Sequence, residues 1–528
     1  MREEVCDLLE FSRELQQRLE ASTSLAHRKR CGQFFTPPPI CRFMASLLSL
    51  QSKREYRLLD PGAGVGSLTA AVCERFRRLR SPRRLEVHLF ETDLKAVGLL
   101  DENMNLCRRS LNVAGHAMEY SIHSADFVVA AGDDFRESRS LFEENSAAFG
   151  RFDGVVTNPP YFKIARNSPH ARLMEPIVHG QPNMYSLFMA LAAHLLQPKG
   201  ELVAITPRSF CNGLYFRDFR RWFLQRMSLE RLHLFESRAN TFEGAGILQE
   251  NIVTLSRRSL QQSPVVNVST SEDANIREPA ACQAMPVDKV IDTALHDWMI
   301  RIPTSNHDAR IMELVESLPL RFTDTGLRIS TGPVVLFRAK EFLAEDPQTP
   351  DSVPLLLPHN VKPFEVKWPV ERQRKPCAFR VCEASRRLLL PAKNYVLVKR
   401  FSAKEERRRL TAGRLLRAKQ PHDSVALENH LNYIYHCSRE LSEDEALGVA
   451  AVLNSALYDD YFRLISGSTQ VNATELRTIR FPPLDALEML GSRIRLSRPL
   501  SEAALESAVL ETVVSMSSGA TVLMEASA

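Results

Sequence analysis

The sequence predicts an α/β protein, with a doubly wound sheet in its first half and a mixed α/β domain in its second. Three observations carry this. Short apolar runs alternate with amphipathic stretches from residue 55 to 256, a Gly-rich turn follows the first run, and the rhythm stops after Ser256. With 528 residues the chain is long enough for two or three domains. At 44% hydrophobic and 25% charged, it has the composition of a globular protein that can bury a large core without disulfides or metals.

Residues 1–30 are expected to form an N-terminal helix, with Val5, Leu8, Leu9 and Leu15 as a rough apolar stripe. Residues 31–256 form the first domain. Its strands are expected at 56–60, 85–90, 120–123, 152–157, 201–206, 232–235 and 252–255, and its clearest helices at 68–76 and 184–196. Residues 257–285 are rich in Ser, Gln, Asn and Pro and read as irregular, so 257–310 is taken as a connecting segment. A second domain spans 311–490. A helical stretch near 309–318 leads into it, proline-broken apolar runs follow at 353–358 and 388–398, and 441–465 is helical. A C-terminal helix is expected within 491–528.

Net charge is only +5, but it is unevenly spread. Between Glu371 and Gln420 sixteen Lys and Arg face four Asp and Glu, an excess suited to phosphate contacts or to a solvated helix face. The ten cysteines include no C-x-x-C pair and no His at finger spacing, so no metal site is expected and a reducing cytoplasm fits them. The charged start lacks an apolar h-region, and no apolar run reaches the ~18 residues a bilayer requires. Neither a signal peptide nor membrane association is expected.

Leu58-Leu59-Asp60-Pro61-Gly62-Ala63-Gly64-Val65-Gly66-Ser67-Leu68 reads as strand, Gly-rich turn, then helix. Gly62, Gly64 and Gly66 allow a tight turn and close approach of a ligand to the amides at the helix start. A purely structural turn would show the same glycines, so the following strand ends matter. Glu91, closing the second strand, can accept from ribose hydroxyls or stand as an exposed strand-end acid. Asp126, closing the third, can accept from an adenine amino group or cap the next helix, and Phe127 can wall a ring. Upstream lies Gly32-Gln33-Phe34-Phe35-Thr36-Pro37-Pro38. The order and spacing of these pieces point to a nucleoside-bearing ligand.

Phe152-Asp153-Gly154-Val155-Val156-Thr157 leads into Asn158-Pro159-Pro160-Tyr161. Neither proline can donate a backbone hydrogen bond, and both stiffen the loop. The Asn158 side-chain oxygen and the Pro159 carbonyl can therefore point at one amino group. An exocyclic purine amine is a poor nucleophile because its lone pair is delocalised. Two acceptors on its N–H bonds favour a pyramidal nitrogen that can attack a sulfonium methyl in line, with catalysis by positioning and electrostatics. Tyr161 offers a face on which the base can stack, and a base in such a pocket has left the duplex.

These residues carry a family resemblance. The order Gln33-Phe34-Phe35-Thr36-Pro37, Asp60-Pro61-Gly62-Ala63-Gly64-Val65-Gly66, Asn158-Pro159-Pro160-Tyr161 resembles the gamma class of DNA adenine-N6 methyltransferases of type II restriction–modification systems. Further matching pieces are Gly180-Gln181-Pro182-Asn183-Met184-Tyr185, Thr206-Pro207-Arg208-Ser209-Phe210 and Leu248-Gln249-Glu250-Asn251-Ile252. Later in the chain they are 394–402, 428–433 and 469–476. The resemblance implies a class I S-adenosylmethionine-dependent methyltransferase domain followed by a target-recognition domain, with S-adenosylmethionine as cofactor and double-stranded DNA as partner. It implies that Thr36 holds the cofactor carboxylate beside the Asp60–Gly66 segment, Glu91 the ribose, and Asp126 with Phe127 the adenine. It further implies that Asn158, Pro159 and Pro160 activate the target amine and that Tyr161 stacks on the base. A second base-stacking aromatic is sought in a later loop, where Phe242 is the candidate or a core residue. About thirty residues precede Gly32, too few for a typical nuclease domain, so cleavage is expected of a separately encoded cognate endonuclease.

For DNA contact the basic candidates are Lys399, Arg400, Lys404, Arg407, Arg408 and Arg409, with Asn429, His430, Asn432 and Tyr433 as base readers or packing residues. Asn-Pro-Pro-Tyr also serves protein-glutamine and RNA methyltransferases, which typically lack a large basic C-terminal domain. A non-catalytic specificity subunit would not need Glu91, Asp126 and Asn158 intact.

Overall fold

The computed structural model describes residues 7–24, 35–137, 150–235, 250–272, 274, 276, 282–293, 298–370, 375–402, 406–466, 470–497 and 501–517. Phe242 and Lys404 lie outside these residues, as do Gln33 and Phe34. The chain divides into two compact units, Met1–Thr304 and Ser305–Ala528.

The first unit is built on a nine-stranded sheet. Helix α1 (Leu8–Ser22) is capped by Asp7, whose carboxylate accepts from the amides of Leu9 and Glu10, and α2 (Pro38–Ser46) follows. The alternation read from the sequence then runs as β1 (Glu55–Pro61), α3 (Ser67–Phe76), β2 (Arg84–Phe90), α4 (Leu94–Val113), β3 (Ala117–His123), α5 (Phe127–Glu137) and β4 (Phe152–Thr157). It continues as α6 (Met184–Leu195), β5 (Leu196–Pro207), α7 (Arg217–Leu224), β6 (Met227–Phe235) and β7 (Asn251–Arg258). Two more strands follow, β8 (Val265–Ser271) and β9 (Gln283–Pro286).

The strand order is β3-β2-β1-β4-β5-β7-β6-β8-β9. Strands β1 to β5 are parallel, while β7 enters antiparallel between β5 and β6. The order reverses between β1 and β4, and the crevice beyond the strand ends at such a switch point is where open α/β sheets bind ligands. Strand β4 is buried along its whole length, and its Asp153 sits in an ion pair with Lys53.

The expected irregular connection at 257–285 is corrected here. The sheet takes up β8 and β9 from this stretch, with Val266 and Val268 fully covered. Their short alternating run was obscured by flanking Ser, Gln and Pro.

The second unit, beginning with α8 (Asn306–Glu316), is mixed α/β. A six-stranded sheet contains Leu327–Thr331, Leu431–His436, Tyr395–Lys399, Ala412–Leu415, Phe364–Val366 and Val361–Lys362 in that order. A five-stranded sheet contains Leu343–Ala344, Ala378–Arg380, Ser352–Leu356, Ser424–Leu427 and Leu389–Pro391. The apolar run at 388–398 is thus divided between two sheets, just after Pro391. The helical stretch 441–465 is two helices, α9 (Glu443–Asn454) and α10 (Ala456–Ile465), because Ser455 ends one and caps the other. The boundary set at residue 490 falls inside a helix, α11 (Leu484–Leu496), which shares a core with α9; α12 (Glu502–Met516) follows.

Among the described residues no helix is long and apolar enough to cross a membrane, and no group of three or more His, Cys, Asp or Glu is arranged to hold a metal ion.

Candidate active site

The Gly-rich turn leaves β1 and wraps the start of α3. Gly62, Gly64 and Gly66 have φ of 75°, 57° and 84°, the left-handed region that only glycine enters without strain. Gly66 has a second reason. A Cβ there would lie 2.7 Å from Leu100 and 2.8 Å from Met104 on α4, so helix and turn pack closely. Asn103 of α4 also fastens the turn, donating to the Val65 carbonyl at 2.7 Å and to Ser12 of α1 at 2.9 Å. The amides of Gly62 and Ala63 are held by the Phe90 carbonyl at the end of β2, each at 2.9 Å.

The turn borders a cavity. Phe35, Thr36, Glu91, Phe127, Asn158 and Phe188 contribute to its walls, together with Gly62, Gly64 and Pro160. Glu91 is buried, and its carboxylate accepts from Gly64 N at 2.9 Å and Asp93 N at 2.8 Å. Burial raises its pKa, opposed by these amides. Phe127 meets Phe90 edge-on at 5.1 Å and Phe188 at 5.2 Å, an aromatic wall suited to a flat ring. Phe188 was not legible from sequence, because α6 is apolar on nearly every face and no single face announces itself.

Asp60, Gly66 and Asp126 are not among the residues lining the cavity. Asp126 caps α5, accepting from Val128 N at 2.8 Å and Val129 N at 3.2 Å, and its other oxygen pairs with His170 at 2.9 Å. The helix-cap alternative for Asp126 is therefore the interaction the structure contains. Asp60 is buried, with Oδ2 accepting from Thr69 at 2.7 Å. Burial pushes its carboxyl from 3.8 up to about 7, against the Thr69 bond, and the nearby Glu91 adds to the rise. The folded chain therefore holds this proton across a range in which the unfolded chain has lost it. Stability is expected to fall as pH rises from about 4 to 7 and then to level off. Asp60→Asn is expected to remove that fall, a difference on the order of 2–3 kcal/mol between pH 5 and pH 8, read by denaturant unfolding.

At the end of β4, Thr157 donates to the Pro61 carbonyl at 2.8 Å and ties this strand to the Gly-rich turn. Asn158 follows. Its Nδ2 donates to Thr36 Oγ1 at 3.0 Å, and its Oδ1 accepts from the Tyr161 hydroxyl at 2.6 Å. The Tyr161 hydroxyl also lies 2.9 Å from the Ile205 carbonyl. Burial pushes this phenol well above its ordinary pKa, so it stays a neutral donor. The Tyr161 ring meets Tyr185 edge-on at 6.1 Å, and Tyr185 in turn shares a hydrogen bond with Ser209 at 2.9 Å. The loop after Tyr161 is braced by 180–184: Ile164 N donates to the Pro182 carbonyl at 3.0 Å and Met184 N to the Phe162 carbonyl at 2.9 Å. The two later motifs also meet, as Arg208 and Glu250 form a buried ion pair at 3.1 Å. The structure thus brings Thr36, the Gly-rich turn, Glu91, Phe127 and Asn158–Tyr161 to one end of one sheet.

Arg407, Arg408 and Arg409 do not all face solvent, which corrects the expectation that they form one basic surface. Arg409 is 2% exposed, and the amides of Arg409 and Leu410 donate to Asp459 at 2.6 and 2.7 Å. The Arg408 side chain is largely covered and pairs with Glu502 and Glu506. Only Arg407 projects, at 81% side-chain exposure, beside Glu502. Arg400 donates to the Asn429 carbonyl at 3.1 Å, and burial holds the Lys399 ammonium below its ordinary pKa, with Lys362 adding to the effect. Asn432 is fully buried, donating to the Val471 carbonyl at 2.8 Å and accepting from Thr331 at 2.9 Å, so it is a packing residue. His430 is partly exposed, pairs with Glu428 at 2.7 Å and meets Phe401 edge-on at 4.8 Å.

A buried carboxylate, aromatic walls and a tight Gly-rich turn lining the cavity fit a ligand that carries a ribose, a purine and a charged chain. With the switch-point sheet they define an S-adenosylmethionine-dependent methyltransferase. The Eco57I restriction-modification methylase family model matches residues 81–242. The type II methyltransferase M.PstI of Providencia stuartii is 35% identical over 467 residues, 88% of this chain and 90% of the relative. M.BsuBI of Bacillus subtilis is 36% identical over 475 residues, 90% and 92% of the two chains. The chain belongs to the type II methyltransferases of restriction–modification systems. In fold it is also similar to the type IIL restriction-modification enzyme MmeI, solved in complex with DNA. That match has a TM-score of 0.52 at 12% identity and covers 96% of this chain and 73% of that one.

Proposed function

We propose that this enzyme methylates the N6 amino group of adenine in double-stranded DNA, on a base flipped out of the duplex. The observation that carries the reading is Asn158-Pro159-Pro160-Tyr161 at the end of β4, with the Asn158 amide beside the cavity and the Tyr161 ring held by its hydroxyl. S-adenosylmethionine supplies an electrophilic methyl group. Thr36 and the Gly62–Gly66 turn would hold its methionine part, Glu91 its ribose, and Phe127 with Asp126 its adenine. Asn158 Oδ1 and the Pro159 carbonyl accept the two N–H bonds of the target amine and localise its lone pair, while Pro160 keeps the loop rigid. Tyr161 stacks on the base, and Phe242 is the candidate for its other face. The N–C bond forms as the S–C bond breaks, and the surplus proton on nitrogen leaves to water.

The second unit is the target-recognition domain in this reading. It acts in the cytoplasm, and a separately encoded endonuclease completes the system. Sequencing with modified-base detection of DNA from cells expressing the chain tests it. N6-methyladenine at one fixed motif is expected; no modification, or methylcytosine, would overturn it. For phosphate contact, Arg407→Gln is expected to flatten the salt dependence of DNA binding by about 0.9 in log–log slope. Arg409→Gln should leave that slope alone and destabilise the second unit, as filter binding and thermal unfolding would show.

A further inference from the structure

Asp126 follows β3 and stands in the chain between Ala125 and Phe127, both of which line the cavity. Its carboxylate is held at both oxygens. Oδ1 accepts from Val128 N at 2.8 Å and Val129 N at 3.2 Å, and Oδ2 lies 2.9 Å from Nε2 of His170. A carboxylate offers only lone pairs, so Nε2 carries the proton of that bond. Two oxygens together offer about four lone-pair sites. Among the described residues these bonds engage all but one of them, and the remaining site is on Oδ2. The cap amides fix one oxygen only. With Oδ1 anchored the carboxylate plane can still turn, and at 39% side-chain exposure little packing opposes the turn. His170 supplies the second fixed point.

His170 is itself firmly placed. It lies in the short helix Pro169–Leu173, which Ser168 caps by accepting from Ala171 N at 3.2 Å. This helix packs closely on α5. A Cβ on Gly132 would lie 3.0 Å from Leu173 Cδ1 and 3.2 Å from Leu173 Cβ, so a larger residue there would push the two helices apart. The segment that carries His170 leaves the Asn158–Tyr161 loop, and its two ends are joined by the Ile164–Pro182 and Met184–Phe162 bonds. A donor that meets Oδ2 therefore finds an acceptor whose direction is already set. The amino group of an adenine is such a donor. We propose that His170 is a positioning residue for the cofactor, which by holding Oδ2 aims the remaining lone pair of Asp126 at the adenine amine of S-adenosylmethionine. This rests on the reading of Asp126 as the acceptor for that amine. His170 takes no part in methyl transfer, because the cofactor's adenine stays unchanged in it.

The test compares two ligands by calorimetry on the full chain: S-adenosylhomocysteine, and its analogue with hydrogen in place of the adenine amino group. Wild type should bind the analogue about tenfold more weakly, because Asp126 loses its donor. His170→Phe keeps a ring and removes the N–H. It should weaken S-adenosylhomocysteine about tenfold but the analogue about twofold or less. His170→Gln, whose amide N–H can reach the place of Nε2, should recover most of that loss. Equal losses for the two ligands in His170→Phe overturn the inference, as does tighter binding of S-adenosylhomocysteine or a His170→Gln no better than His170→Phe. Single-turnover methylation is the second arm. His170→Phe should raise the KM for S-adenosylmethionine and hold the rate at saturation within about twofold. A slowed rate at unchanged KM would make His170 a brace of the catalytic loop and overturn the inference. Asp126→Asn, which keeps an oxygen for the helix cap, separates the two ideas. If wild type and Asp126→Asn both bind the two ligands alike, the reading of Asp126 fails. A preference for the amine that is lost in Asp126→Asn and intact in His170→Phe keeps that reading and overturns the inference alone.

Discussion

Replacing Asn158 with Ala is expected to lower the single-turnover rate of methyl transfer by about three orders of magnitude, while S-adenosylhomocysteine binds with little change. The magnitude follows from what the side chain does. In the proposed reaction it would supply one of two acceptors for the target amine, and such preorganised groups act where charge develops in the transition state. In the same reading the cofactor's affinity would be spread over the Gly62–Gly66 turn, Glu91 and the Phe127 wall, and Asn158 lines only one part of that cavity. The local structure should survive. Thr157 keeps its bond to the Pro61 carbonyl, and Tyr161 still reaches the Ile205 carbonyl. The decisive comparison is quenched-flow methylation against calorimetric affinity on the same preparation. A rate within tenfold of wild type would remove Asn158 from the chemistry, and a parallel loss of affinity would make it a cofactor residue instead.

The contrast between what could and could not be read in this chain has physical causes. The strands of the first unit were legible because a sheet covered on both faces needs apolar runs, as in Leu202–Ile205. The Gly-rich turn was legible because left-handed φ at Gly62, Gly64 and Gly66 excludes most other residues. Strands β8 and β9 were not, since a short strand among Ser, Gln and Pro has too little apolar length to stand out. The fate of charged side chains was also hidden. Arg407, Arg408 and Arg409 are alike in sequence, yet Asp459 and Glu502, 50 or more residues away, determine that Arg409 is buried and Arg407 exposed. Asp126 shows the same limit within the candidate site. Its place at a strand end suits both a ligand and the helix cap it makes, and only His170, 44 residues later, reveals its further partner.

Breaking the Arg208–Glu250 pair is expected to be the most damaging single change away from the chemistry. Both side chains are nearly covered, with exposures of 8% and 3%, and lie 3.1 Å apart. Arg208 N also donates to the Glu250 carbonyl at 2.7 Å, so the pair clips the end of β5 to the residue before β7. Removing one partner takes a paired charge away from a buried group, which costs roughly 3–5 kcal/mol. Arg208→Met should therefore lower the melting transition of the first unit by roughly 10 °C. The second unit, with its own core, should melt as before. Arg208→Met combined with Glu250→Leu removes both charges and should regain most of the loss, because a buried ion pair and an apolar pair of similar volume are close in stability. Scanning calorimetry of the three proteins checks this. If the double variant is no more stable than Arg208→Met, the damage comes from lost packing and not from the carboxylate's lost ion pair.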